Sequence, residues 1–93
     1  MVKQVKAAHI LVKTENEAKK LKDELSKGKN FSDLAKKHST CPSAKSGGEL
    51  GWFGKGQMVG PFETAAFNAK KGDIVGPVKT DFGWHLILVE DQK

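Results

Sequence analysis

A single small domain of mixed strand and helix is the fold class the sequence predicts, and three observations predict it. Ninety-three residues suit one domain (1–93), which at this size buries roughly 60–65% of its unfolded surface and needs no disulfide. Apolar residues recur at period two in some stretches and at three- and four-residue steps in others. Glycine and proline punctuate the joins, and no linker, repeat or low-complexity segment divides the chain.

Residues 5–12 alternate imperfectly and read as a buried strand, with His9 and Leu11 on one face and Ala8, Ile10 and Val12 on the other. Thr14-Glu15-Asn16-Glu17 then has the capping-box pattern, with Thr14 at the N-cap. Ala18, Leu21 and Leu25 form one apolar stripe of the helix that follows. Glu15–Lys19 and Asp23–Lys27 are i,i+4 pairs on its wet side, and Gly28 ends it. Asn30 suits the N-cap of a second helix that turns Phe31, Leu34 and Ala35 inward and stops near His38. The stretch from Cys41-Pro42 to Ser46 is too short and proline-interrupted for more than a helical turn. A strand near Leu50–Phe53 follows, and Gly60-Pro61 opens another helix, proline being suited to the first helical position. Phe62, Ala65, Ala66 and Ala69 share its inner face, with Lys70-Lys71-Gly72 expected to close it. Ile74–Lys79 and Trp84–Glu90 finish as two strands joined around Asp81-Phe82-Gly83. Interleaved in this way, strands and helices are also compatible with a parallel sheet, and periodicity does not decide between the two.

Sixteen basic residues against eleven acidic give a net charge of +5, and every basic residue is lysine. Without arginine the surface lacks the planar fork that grips phosphates and base edges bidentately, so sequence-specific nucleic-acid recognition is not expected. Lys3, Lys6, Lys27, Lys29, Lys36 and Lys37 are expected to form a positive face offering weak, reversible contact with an anionic membrane. The first residues lack a signal-peptide core, and no apolar run approaches the ~20 residues that span a bilayer. Together with a lone Cys41, this gives the expectation of a monomer in the cytoplasm.

Residues 47–62 are the most informative stretch. Glycines let the backbone turn tightly there, while Leu50, Trp52, Phe53, Met58 and Phe62 supply far more apolar surface than a solvated loop needs. That combination suggests a strand and turn building a concave, apolar pocket. His9, Cys41 and His85 invite a zinc or a Cys–His hydrolase reading. Each is isolated in sequence, however, without paired ligand spacing or a protease signature around Cys41-Pro42. On residue type alone, His9 and His85 would be hydrogen-bonded core histidines.

His9 before an apolar strand, Gly-Glu-Leu-Gly at 48–51, Gly-Gln-Met at 56–58, Pro61-Phe62 and Phe-Gly-Trp-His at 82–85, in that order, resemble the parvulin family of peptidyl-prolyl cis/trans isomerases. The resemblance runs from about Lys6 to Val89. It implies an α+β fold, a four-stranded antiparallel sheet wrapped by four helices in the order β-α-α-α-β-α-β-β, with first and last strands adjacent at the centre. His9 and His85 would then share one face of neighbouring strands and meet Nε2 to Nε2, with Thr80 holding an outer nitrogen. Leu50, Met58 and Phe62 match the family's proline pocket, and the family pattern favours Phe53 over Trp52 as the pocket-side residue. Gln57 would hydrogen-bond the substrate backbone or brace the turn. Cys41 stands where parvulins carry Cys or Asp near the substrate carbonyl, which argues for an electrostatic role shared with His9, His85 and Thr80 rather than covalent attack.

The implied activity is rotation of X–Pro bonds in proline-containing peptides and unfolded segments, in the service of protein folding. It breaks no covalent bond, so no cofactor or metal is implied. Phosphate-directed parvulins insert a basic, arginine-bearing loop after the first strand, whereas here Val12-Lys13-Thr14-Glu15 passes straight to the capping box. Phe82 also stands where those enzymes tend to be polar. The alternative from another class is a binding module that grips proline-containing segments without accelerating their isomerisation.

Overall fold

Four strands form one antiparallel sheet in the computed structural model, which describes residues 2–93. In chain order the elements are β1 (Gln4–Val12), α1 (Glu15–Ser26), α2 (Phe31–His38), a 3-10 turn (Pro42–Ser46), β2 (Glu49–Gly54), α3 (Gly60–Asn68), β3 (Ile74–Thr80) and β4 (Gly83–Gln92). The strand order β2-β1-β4-β3, antiparallel throughout, excludes the parallel sheet and puts β1 and β4 side by side at the centre.

Local chemistry sets the helix starts. The Thr14 hydroxyl accepts from the Glu17 N–H (3.2 Å), and the Asn30 side chain accepts from the Asp33 N–H (3.0 Å). Both expected i,i+4 pairs of α1 form, Lys27–Asp23 at 3.0 Å and Lys19–Glu15 at 3.8 Å, and as exposed pairs each contributes about 0.3 kcal/mol.

Two expectations need correction. Among the described residues there are three α-helices rather than four, because Pro42 opens only a 3-10 turn, which the left-handed Gly47 (φ 72°) stops after five residues. The last helix also ends before its lysines, with Ala69 already extended at ψ 166°. One local and one long-range hydrogen bond hold the next residues out of helical geometry. The Asp73 carboxylate accepts from the Lys70 N–H (3.0 Å), and the Gly72 N–H donates to the Val89 carbonyl (2.7 Å). Lys70-Lys71-Gly72 is therefore the lead into β3, not a helix cap.

Strand alternation sorts the core onto the two faces of the sheet. On one face Ala8, Ile10, Val12 and Leu86 pack against Ala18, Leu21 and Leu25 of α1 and Phe31, Leu34 and Ala35 of α2. On the other, Val5, Ala7, Phe53, Ile87 and Val89 pack against Phe62 and Ala66 of α3. The first face takes two helices and the second only one. On β4 the Glu90 carboxyl is pushed up to about 7, first by burial and then by the neighbouring Glu49 carboxyl, with Lys6 opposing.

Candidate functional site

Because α3 alone covers the second face, part of that face stays open. A cavity of about 580 Å³ lies there over His9, Leu11 and His85. The two histidines come from the paired central strands, where His9 sits opposite Ile87 and Leu11 opposite His85. They are thus diagonal neighbours on one face, within side-chain reach. Their Nδ1 atoms are 3.0 Å apart. The expected contact through Nε2 is therefore corrected: the inner nitrogens are Nδ1, and the Nε2 atoms point outward to hydroxyl partners. His85 Nε2 meets Thr80 Oγ1 at 2.7 Å, and His9 Nε2 meets Ser43 Oγ at 3.2 Å. Thr80 Oγ1 also accepts from the Phe82 N–H (3.2 Å), which ties the β3–β4 turn to the histidine pair.

The pair is uncharged at neutral pH. Burial, and then the proximity of His85, lowers His9 from 6.5 to about 4, and burial lowers His85 as well. Phe62 stands edge-on to both rings, at 5.5 Å and 78° to His9 and 5.3 Å and 85° to His85. One aromatic side chain from the first turn of α3 therefore packs against the histidine floor and forms the wall above it.

Leu50 reaches the cavity through an irregularity of β2. Ala7 pairs with Gly51 and Ala8 with Glu49, so Leu50 is the extra residue of a β-bulge. Gly51 takes a φ of 72°, a conformation costly for any residue with a Cβ. The bulge is what lets Leu50 and Phe53, three apart, serve the same side of the sheet. Gly48 matters for a different reason: a Cβ there would collide with the carbonyl oxygen of His9. Its own carbonyl accepts from the His9 N–H (2.9 Å), which fastens the 3-10 turn to β1 beside the site.

Met58 and Gln57 are carried by residues 55–59, a short connection pinned at two points. The Gly54 N–H donates to Gln57 Oε1 at 2.7 Å, and the Gly56 N–H donates to the Glu63 carboxylate. Gln57 thus braces the turn with its oxygen while lining the cavity. Cys41 and Phe82 face Leu50 and Met58 from the opposite rim, with Phe82 68% exposed. His9, Cys41, Leu50, Gln57, Met58, Phe62, Phe82 and His85 therefore all line one cavity. Phe53 and Thr80 stand one layer behind: Phe53 packs on Phe62 with ring centroids 6.0 Å apart, and Thr80 holds His85. Among the described residues no three of His, Cys, Asp and Glu come together as a metal-holding group.

Sequence reasoning passed over Ser43, Leu11 and Val59. Leu11 was within reach, since strand alternation had already put it on the face of His9. Ser43 had no comparable signal, because nothing in Cys-Pro-Ser says that the hydroxyl turns back to a histidine 34 residues earlier.

Comparison with known proteins agrees with this geometry. The family model described as rotamase, the PPIC-type PPIase domain, matches residues 3–91. The chain is 53% identical over 90 residues to the foldase protein PrsA of Geobacillus kaustophilus, covering 96% of this chain and 32% of that protein. It spans about a third of the length of the curated PrsA relatives it matches first. The crystal structure of the peptidylprolyl isomerase PrsA from Bacillus anthracis superposes with a TM-score of 0.96 at 44% identity, over 99% of this chain and 43% of that one. The solution structure of the parvulin of Nitrosopumilus maritimus matches over 94% of this chain and 95% of that one, with a TM-score of 0.86 and 43% identity. With the family model covering nearly every residue and the paired histidines lying under an apolar cavity, the chain belongs to the PPIC-type peptidyl-prolyl cis/trans isomerases, the parvulins.

Proposed function

We propose that this domain rotates X–Pro peptide bonds in flexible or unfolded client segments and needs no phosphate on the residue before proline. The observation that carries the reading is the wall of Leu50, Met58 and Phe62 standing over two uncharged histidines. Met58 adapts its shape and Phe62 offers a flat face, which suits a pyrrolidine ring that must be held still while the acyl side turns.

The barrier to that turn, ~18–20 kcal/mol, is amide resonance. In the twisted amide the nitrogen is more amine-like and the carbonyl more ketone-like, so charge separation is smaller than in the planar form. An apolar cavity floored by neutral imidazoles solvates the planar dipole less well than water does, and so favours the twisted form by comparison. A thousandfold acceleration asks for only ~4 kcal/mol of such discrimination. Holding the ring contributes as well, by restricting motion to the one bond that rotates.

Two features support indifference to phosphate. The β1–α1 connection is Lys13-Thr14, and one lysine cannot make the bidentate, planar contact that a phosphate clamp requires. The rim opposite the proline wall carries the exposed apolar Phe82 rather than a cation. Phe82 therefore favours an apolar residue before the proline.

A protease-coupled isomerisation assay tests the function. One Leu-Pro peptide should isomerise faster with the folded protein, and chelator treatment should leave the rate unchanged. Binding of the peptide without acceleration would replace the enzyme reading with that of a binding module. A peptide pair differing only in phosphorylation before proline tests selectivity, and more than tenfold preference for the phosphorylated member would overturn it.

A further inference from the structure

A second cavity, of about 490 Å³, lies beside the first, between the start of α3 and the β3–β4 turn. Val59, Gly60 and Pro61 line it from one segment and Lys79, Thr80 and Asp81 from the other. Val59 lines both cavities, and Phe82, on the rim of the first, directly follows Asp81. Val59 and Phe82 are also two of the three exposed large apolar side chains among the described residues, at 40% and 68%. Where the two cavities meet, apolar surface is therefore left in water until another chain crosses it.

On the isomerase reading, the prolyl ring rests on Met58 and Phe62 and the acyl side is turned toward Cys41 and Phe82. Val59 directly follows Met58, on the ring's side of the cavity, so the chain that leaves the ring passes over it into the second cavity. An extended chain advances about 3.3–3.6 Å per residue, which carries the second residue after proline roughly 7 Å beyond the ring.

Four charges bear on the second cavity. Lys79 Nζ lies 5.9 Å over the Trp84 ring, and Trp84 packs on the sheet face that carries α1 and α2, so the ammonium is drawn to the side opposite α3. The Glu63 carboxylate is engaged by the Gly56 N–H. Asp81 stands exposed at the turn and makes none of the ion pairs formed among the described residues. The start of α3, which has no side-chain cap, sets about half a positive charge against the full negative charge of that carboxylate. The balance is negative.

We propose that the second cavity is a subsite for the client residues that follow proline, and that Asp81 makes it select a basic side chain there. Its direction rests on the isomerase reading, which places the ring.

The test uses blocked peptides Ala-Leu-Pro-Ala-Xaa-Ala with Lys, Gln or Glu at Xaa, their isomerisation followed by NMR exchange without a protease. kcat/KM should fall in the order Lys, Gln, Glu, by roughly two- to fivefold at each step, as an exposed ion pair gives. The change should lie in KM, because ground and transition states share the contact. It should vanish at about 1 M salt, where the Debye length is ~3 Å. The net charge of +5 would by itself rank the peptides in the opposite order, so nonspecific attraction does not imitate the result. Asp81→Asn should bring the three peptides together and Asp81→Lys should reverse them. An unchanged order in both variants overturns the role of Asp81. A Glu peptide ranked first would give the cavity to the start of α3 and overturn the proposal, as would a lysine preference seen only before proline. Amide shifts separate the subsite from the isomerase reading: the Lys peptide, but not a peptide ending at proline, should move the Gly60 and Asp81 signals. Unmoved signals refute the subsite even where the peptide is turned over. Moved signals without acceleration of any peptide would uphold the subsite and remove the isomerase reading.

Discussion

Acidification from pH 7 to pH 4.5 should protonate the histidines of the unfolded chain while burial keeps the proton off His9 in the folded one, and the cost can be worked from the structure. Burial and the proximity of His85 hold His9 near 4, against 6.5 for an ordinary imidazole. The folded value lies below the unfolded one, so the unfolded chain binds more protons throughout that window. The stability contributed by neutral His9 is therefore present above pH 6.5 and is lost as pH falls toward 4. At ~1.4 kcal/mol per pH unit the ceiling is roughly 3 kcal/mol, of which about 2 kcal/mol is gone by pH 4.5. In a domain of this size that corresponds to a fall in melting temperature of roughly 8–16 °C. Glu90 titrates in the opposite sense and His85 in the same one, so the wild-type curve alone mixes all three effects. The assay is urea unfolding of the wild type and His9→Gln in parallel at half-unit pH steps. The stability gap between them should close by about 2 kcal/mol from pH 7 to pH 4.5. A gap independent of pH would refute the claim that His9 is buried neutral.

Met58→Ala should lower kcat/KM by roughly tenfold while costing less than the ~2–5 kcal/mol of a fully buried methionine, because Met58 is packed on one side and open to the cavity on the other. Chemical unfolding alongside the peptide assay separates the two effects, and a large loss of stability with normal turnover would make Met58 core. Cys41→Asp should keep most of the activity in the same assay, since a carboxylate accepts from Ser43 as the thiol does, whereas a covalent role demands near-total loss. Glu90, held near 7, keeps its proton in the folded state after the unfolded chain has lost it, so its contribution is present below its ordinary 4.5 and disappears as pH rises through 7. Glu90→Gln, which stays neutral, should accordingly gain stability over wild type at pH 8, and thermal melts showing equal pH dependence would refute the assignment. The excess of lysine is proposed to hold the domain reversibly on anionic membranes. Co-sedimentation with anionic but not neutral vesicles, weakening as salt shortens the Debye length below ~10 Å, is the expected result.

The parts of this fold that were legible in the sequence are those set by neighbours along the chain. Thr14 and Asn30 cap the helices they immediately precede, and alternation alone put His9 and Leu11 on the face opposite Ile10. The family motifs then brought eight site residues to one cavity, something periodicity could not do because it left the direction of the strands undecided. What stayed hidden depends on contacts between distant segments. Which nitrogen joins His9 to His85 follows from ring rotations set by Thr80 and Ser43, and sequence spacing carries no information on rotation. The early end of α3 depends on Gly72 donating to Val89, a bond across the fold that outweighs a local pattern resembling a helix stop. Leu50 entering the cavity depends on a one-residue slip in pairing with β1, which a strict period-two reading would have missed.

The floor and the wall of the cavity belong to parts of the sheet with unequal resistance to opening. His9 and His85 stand on β1 and β4, each flanked by a hydrogen-bonded strand on both sides. Leu50 stands on the edge strand β2, and Met58 on residues 55–59, tied down by a few hydrogen bonds, two of them exposed side-chain contacts. Releasing that wall breaks far fewer interactions than parting β1 from β4, so it belongs to the low end of the spectrum of local openings. A molecule caught in such an opening keeps its histidine pair intact but has lost the surface that clamps a ring. On the isomerase function proposed above, a polypeptide would then enter from the loosened side, and its prolyl ring, once seated, would supply the missing apolar contact that shuts the wall. Broad acceptance of clients and a firm grip on their proline would thus come from the same division between a rigid centre and a yielding edge.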